Sequence, residues 1–113
     1  MSTGALEALS HVLDRGGEAD DVLRSVVEVL AGEPGVEWAA IAFLEEGELV
    51  VGPEAGVADA SRRTRTEILF QGSRVGELWI DGGLDASLRT RVAALVSAHV
   101  LIGWDTGGTP WEA

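Results

Sequence analysis

From Ala19 to Leu30 the apolar residues fall at Ala19, Val22, Leu23, Val26, Val27 and Leu30. This i, i+3, i+4, i+7 spacing predicts a helix with one buried stripe. Glu18, Asp20 and Asp21 sit at its start, where carboxylates favour the positive end of the helix dipole. Gly32, Pro34 and Gly35 stop it. A shorter helix over residues 6–14 precedes it and ends at Gly16-Gly17. Its stripe of Leu6, Leu9 and Leu13 is too narrow to stand alone, so this helix is expected to dock on something.

After the second helix the period changes. Residues 36–44 read VEWAAIAFL, a nearly continuous apolar run of the kind found in a strand covered on both faces. Glu45-Glu46-Gly47 predicts a turn and residues 48–52 a returning strand. Residues 53–62, with Pro53, Gly56, Ala, Ser and two acids, read as loop. Residues 63–71 and 74–81 predict a second hairpin around Gly72-Ser73, which suits a type II′ turn. A long helix over residues 86–102 follows, with Leu88, Val92, Leu95, Val96 and His99 on one stripe and Gly103 closing it. The expected class is α+β: a four-stranded or slightly larger antiparallel sheet with the N- and C-terminal helices packed on one face. Residues 1–113 are expected to form one domain, with 1–4 and 109–113 as loose termini.

Composition narrows the chemistry. The chain has no Cys, which removes disulfides, thiolate nucleophiles and sulfur-ligated metal. It has no Lys or Tyr, and all its basic residues are Arg, so a Schiff-base lysine and a phosphate-cradling P-loop are excluded. The net charge of -11 repels phosphate backbones and anionic lipid. Neither nucleic acid nor membrane is an expected partner. No apolar run is long enough to span a bilayer and the first residues do not form a signal peptide, so the cytoplasm is the expected location.

Taken in order, the second helix running into VEWAAIAFLEEGELV, the hairpin EILFQGSRVGELWID and the last helix DASLRTRVAALVSAHVLIGW resemble a short GAF domain. The hairpin strand Gly72-Ser73-Arg74-Val75-Gly76-Glu77-Leu78-Trp79-Ile80-Asp81 is similar to that family's G-x-x-x-G-x-L-x-x-D segment. The resemblance implies a sheet with a ligand pocket roofed by the segment between the second and third strands. Here that segment, residues 53–64, is too short for a full lid. Relatives of this fold that reduce free methionine sulfoxide depend on cysteines, as does covalent attachment of a bilin, and this chain has none. A helix between the second and third strands would point instead to a small roadblock-type interaction domain.

Hairpin register supplies the candidate site. With Gly72-Ser73 as the loop, Phe70 faces Val75, Ile68 faces Glu77 and Thr66 faces Trp79. One face would then carry Thr66, Ile68, Phe70, Val75, Glu77 and Trp79, with Arg62 and Thr64 further along it. Phe43, Arg62, Thr66, Ile68, Phe70, Glu77 and Trp79 are the expected ligand contacts. The plainer reading of Glu77 is an ion pair with an arginine on a half-exposed sheet face. Arg62, Arg63 and Arg65 form the one basic cluster, placed either to hold an anionic ligand or to neutralise nearby acids. His99 is expected in a core or interface, and His11 on the surface. Two histidines without Cys make a zinc site unexpected, and no cofactor is expected. Asp105-Thr106-Gly107 copies the aspartic-protease triplet, but no barrel remains to be built around it; an Asx-type turn is the physical reading.

These features lead to an expected non-catalytic, GAF-like small-molecule-binding or sensory module, dimeric through its terminal helices. A protein-interaction scaffold with a vestigial pocket is the alternative. An enzyme using Glu77 and His99 is the third possibility.

Overall fold

The two hairpins do not simply lie side by side: their inner strands pair with each other. In the computed structural model, which describes residues 3–15 and 17–102, the elements are α1 (Thr3–Arg15), α2 (Ala19–Ala31), β1 (Val36–Glu45), β2 (Glu48–Gly56), β3 (Arg63–Phe70), β4 (Ser73–Gly82) and α3 (Ala86–Ile102). The sheet order is β2-β1-β4-β3, and every neighbouring pair is antiparallel. The Asp105-Thr106-Gly107 triplet, Trp104 and Trp111 lie outside the described residues.

One face of this sheet meets the helices. Ala39, Ile41 and Phe43 of β1, Leu78 and Ile80 of β4 and Ile68 of β3 form a single apolar cluster with α2 and α3. Val22, Leu23, Val26, Val27 and Leu30 come from α2, and Leu88, Val92, Ala93, Val96 and Val100 from α3. The docking expected of the first helix is onto α2, with Leu9 and Val12 buried. Most of its apolar stripe is therefore used within the chain. On α3 the buried stripe is Leu88, Val92, Ala93, Val96 and Val100, while Leu95 is exposed and His99 is half-buried.

β2 runs on to Gly56, four residues past the expected end, with a register irregularity opposite the Ala40–Ala42 stretch. Pro53 is tolerated within it because β2 is an edge strand and one side needs no ladder donor. What remains between β2 and β3 is a short link and one 3-10 turn, Ala60–Arg62, rather than a ten-residue loop. A single such turn is not the crossover helix of a roadblock-type domain.

The second hairpin turns on Gln71-Gly72, with φ of 52° and 86°, and not on Gly72-Ser73. Two positive φ values make the primed turn whose twist matches the flanking strands, and glycine takes the second position at little cost. The resulting register pairs Phe70 with Ser73, Ile68 with Gly76, Thr66 with Leu78 and Arg65 with Trp79. Relative to the expected pairing, Phe70 is shifted by two residues, and an irregularity between Ile68 and Leu69 leaves the rest of β3 shifted by one, which sends its alternate side chains to the opposite face.

Gly76 marks a close approach of β4 to β1 and α3. A Cβ there would collide with the carbonyl oxygen of Ala42 and meet Val100 Cγ1 at 3.0 Å. Gly76→Ala is expected to lower stability by about 1–3 kcal/mol through overpacking, measurable by urea denaturation.

Candidate functional site

On the sheet face opposite the helices, alternation along each strand builds three rows. Trp38, Asp81 and Arg63 lie side by side on β1, β4 and β3; Ala40, Trp79 and Arg65 form the next row, and Ala42, Glu77 and Glu67 the third. Glu54 of β2 lies opposite Ala40. Ala40, Ala42 and Asp81 are fully buried, and Trp38 and Glu77 nearly so. β1 is thus covered on both faces, as its apolar run predicts. On this outer face the cover comes from long side chains rather than from a helix.

Those side chains form one connected network. Arg63 donates from Nε to Asp81 Oδ1 at 2.7 Å and from Nη2 to Asp81 Oδ2 at 2.9 Å. Its guanidinium carbon lies 4.4 Å from the Trp38 ring centroid and 5.3 Å from that of Trp79. Arg65 stacks on the Trp79 ring at 4.9 Å and donates to Glu77 Oε1 at 2.7 Å. The Trp79 indole N–H donates to the same oxygen at 2.8 Å, and Arg74 donates to Glu77 Oε2 at 3.0 Å. The Trp38 indole N–H donates to Glu54 Oε1 at 3.1 Å. Planar guanidinium groups suit this double role of carboxylate fork and ring stacker.

Asp81 also accepts from the backbone N–H of Asp59 at 2.5 Å, which ties the link between β2 and β3 to the sheet. The hydrogen bonds from Arg63 are the main reason its carboxyl is held below the usual range; burial opposes them and the Asp59 amide adds to them. For Glu77, burial by itself would raise the pKa. Hydrogen bonds from Arg65 and Trp79, with the charges of Arg65 and Arg74, outweigh it and hold the group low. Both are therefore anions at neutral pH.

The seven expected ligand contacts do not converge. Glu77 and Trp79 share the outer face and touch each other. Thr66 and Ile68 pair with Leu78 and Gly76 and so belong to the helix-facing side, the consequence of the one-residue slip. Ile68 and Phe43 are core residues. Phe43 also lines a recess of about 270 Å³ with Val75, Val100 and Leu101. Phe70 is at the hairpin end, opposite Ser73. Arg62 is exposed and pairs with Glu37. The plainer reading of Glu77, an arginine ion pair, is the observed one, and each of the three clustered arginines neutralises an acid. Glu77 and His99 cannot act together, because the sheet separates Glu77 from the helix layer that carries His99. Trp38, Arg63 and Asp81 are site residues that hairpin register alone does not reach. Their signal in the sequence is the alternation of Arg63 with Arg65, and of Glu77 with Trp79 and Asp81, on successive same-face positions.

An antiparallel sheet of this order with its helices on one face is a GAF-like fold. Among solved structures, the chain is similar to the type II free methionine-R-sulfoxide reductase of Thermoplasma acidophilum, with a TM-score of 0.62 and 15% identity over 76% of this chain and 94% of that one. The fRMsr of Staphylococcus aureus in complex with substrate matches with a TM-score of 0.68 and 12% identity over 87% and 94%. The GAF domain of an Acinetobacter phosphoenolpyruvate-protein phosphotransferase matches with a TM-score of 0.66 and 12% identity over 88% and 94%. No family model and no curated protein sequence matches the chain. At these identities the likeness shows the fold alone.

The neighbours do correct one expectation. The GAF resemblance leads to a module without catalysis, yet two of these three structures are reductases built on the same frame. The fold therefore gives no ground for calling this chain a non-enzyme. No helix among the described residues is long and apolar enough to cross a membrane.

Proposed function

We propose that the chain acts on a small free amino acid, or a close derivative, at the outer face of the sheet. The observation that carries this reading is the alternation of two buried carboxylates, Glu77 and Asp81, with two indoles and two stacked guanidiniums on the face the helices leave uncovered. A zwitterion needs groups of both signs a few ångströms apart and an apolar surface for its side chain, and this face carries all three, engaged with one another in the free protein. The reductases of similar fold are named for free methionine-R-sulfoxide, which makes that molecule the first substrate to try.

Reducing a sulfoxide to a thioether takes two electrons and two protons and releases water. The sequence holds no cysteine, so the electrons would come from two equivalents of an external thiol, which leave as a disulfide. The cytoplasm, where thiols are kept reduced, suits that requirement. The chain's own part is to hold the molecule and to donate N–H hydrogen bonds to the sulfoxide oxygen from the Nη groups of Arg65, since its Nε and the Trp79 indole N–H are held by Glu77.

The test is a titration with free L-methionine-R-sulfoxide, its S epimer and methionine, followed by calorimetry and by the indole N–H resonances. Loss of the sulfoxide is then measured with dithiothreitol present. The expected result is preferential binding of the R epimer, weakened about tenfold or more by Glu77→Gln, and consumption faster than with the thiol alone. Indole resonances unmoved by all three compounds at millimolar concentration would overturn the reading. Consumption no faster than the thiol background would overturn its catalytic half.

A further inference from the structure

The outer face is already filled, and what fills its centre is a cation belonging to the chain. Arg63 lies over two indoles, within cation–π distance of both, with a fully buried carboxylate held in a two-pronged hydrogen bond. Aromatic rings beside a carboxylate are how proteins hold organic cations. The parts of this arrangement differ in how firmly they are fixed. Trp38, Trp79 and Asp81 stand on the two central strands, and Trp38 and Asp81 are buried. Arg63 stands at the start of β3, an edge strand of the described sheet, and its side chain keeps 22% of its surface exposed. It can rotate outward without breaking a rung between central strands.

We infer that Trp38, Trp79 and Asp81 form a fixed cation box whose resident Arg63 is displaceable, and that the ammonium or guanidinium group of a ligand takes its place. The exchange conserves charge pairing. Asp81 passes from Arg63 to the ligand's cation, while the released guanidinium is free to meet the ligand's carboxylate. Internal occupancy lowers the apparent affinity by the fraction of molecules in which the box is open. Arg63 is thus a built-in competitor that selects for ligands able to replace both of its roles. The identity of the ligand rests on the amino-acid reading above; the box itself does not.

Arg63→Ala opens the box, and ethylguanidinium chloride supplies the missing group without any carboxylate. At matched ionic strength against sodium chloride, the probe is expected to move the Trp38 and Trp79 indole resonances of the variant saturably. Its affinity should exceed that for the wild type by roughly tenfold or more. No saturable movement, or equal response in both proteins, overturns the inference. The wild type gives a second reading that does not depend on the variant folding. There the same probe, at higher concentration, should release the Arg63 Nε proton from Asp81, seen as the loss of its resonance; an unchanged resonance overturns displacement. If the box takes ethylguanidinium while the wild type ignores methionine sulfoxide and methionine, the amino-acid reading fails and the box stands. If the wild type binds an amino acid while the box takes no cation, the box fails and the amino-acid reading stands.

Discussion

Asp81→Ala is expected to destabilise the protein by about 3 kcal/mol, the low end of what breaking a buried ion pair costs. The carboxylate is fully buried and satisfies two donors of Arg63 and the amide of Asp59, so its removal orphans three N–H groups together. The low end applies because Arg63 is partly exposed and can rehydrate. A loss of that size is a large share of the roughly 5–15 kcal/mol typical of a domain. The check is urea denaturation of wild type, Asp81→Ala and Asp81→Asn. A change below about 0.5 kcal/mol, the range of ordinary surface substitutions, would show that the network does not hold the face together.

Asp81 and Glu77 both contribute to the acid response. The folded-state pKa of Asp81 lies below its ordinary value of 3.8, and that of Glu77 below 4.5. For a lowered pKa the stabilisation is complete above the unfolded value and disappears as pH falls through the folded one. Stability is therefore expected to hold above about pH 5 and to decline in acid below it. Asp81→Asn should remove part of that decline, so that the gap between variant and wild type narrows as pH drops.

Phe43→Ala is expected to cost about 3–5 kcal/mol, the range for truncating a buried aromatic. Phe43 is 2% exposed and belongs to the cluster that joins β1 to the helices. Its truncation should leave the Trp79 and Trp38 indole resonances close to their wild-type positions, since those groups lie on the other face of the sheet. Lost amino-acid binding in a folded Phe43→Ala protein, with both indoles unmoved, would make Phe43 a ligand contact after all. A large loss of stability with binding retained places it in the core.

Much of the architecture is legible in the sequence because periodicity reports burial. The helix over Val22, Leu23, Val26, Val27 and Leu30 follows from its spacing, and the doubly covered β1 from its nearly continuous apolar run. The last helix has the bounds its pattern predicts, although Leu95 is exposed. The turn at Gln71-Gly72 is not legible in the same way. Gly72 fits either the first position of a II′ turn or the second of a I′ turn, and only pairing across the whole hairpin selects one.

That turn, together with the register irregularity between Ile68 and Leu69, decided the site. Local sequence by itself determined most of the elements, the α+β class and the absence of a cysteine nucleophile in the chain, because propensity, apolar spacing and composition act over a few residues or over none. Tertiary structure decided which side chains share a face. The slip of β3 carried Thr66 and Ile68 to the helices, and the central pairing of β1 with β4 brought Trp38, from a distant part of the chain, beside Asp81 and Arg63. Cross-strand neighbours are set by hydrogen-bond register between segments far apart in sequence, a quantity that no local pattern along one strand contains.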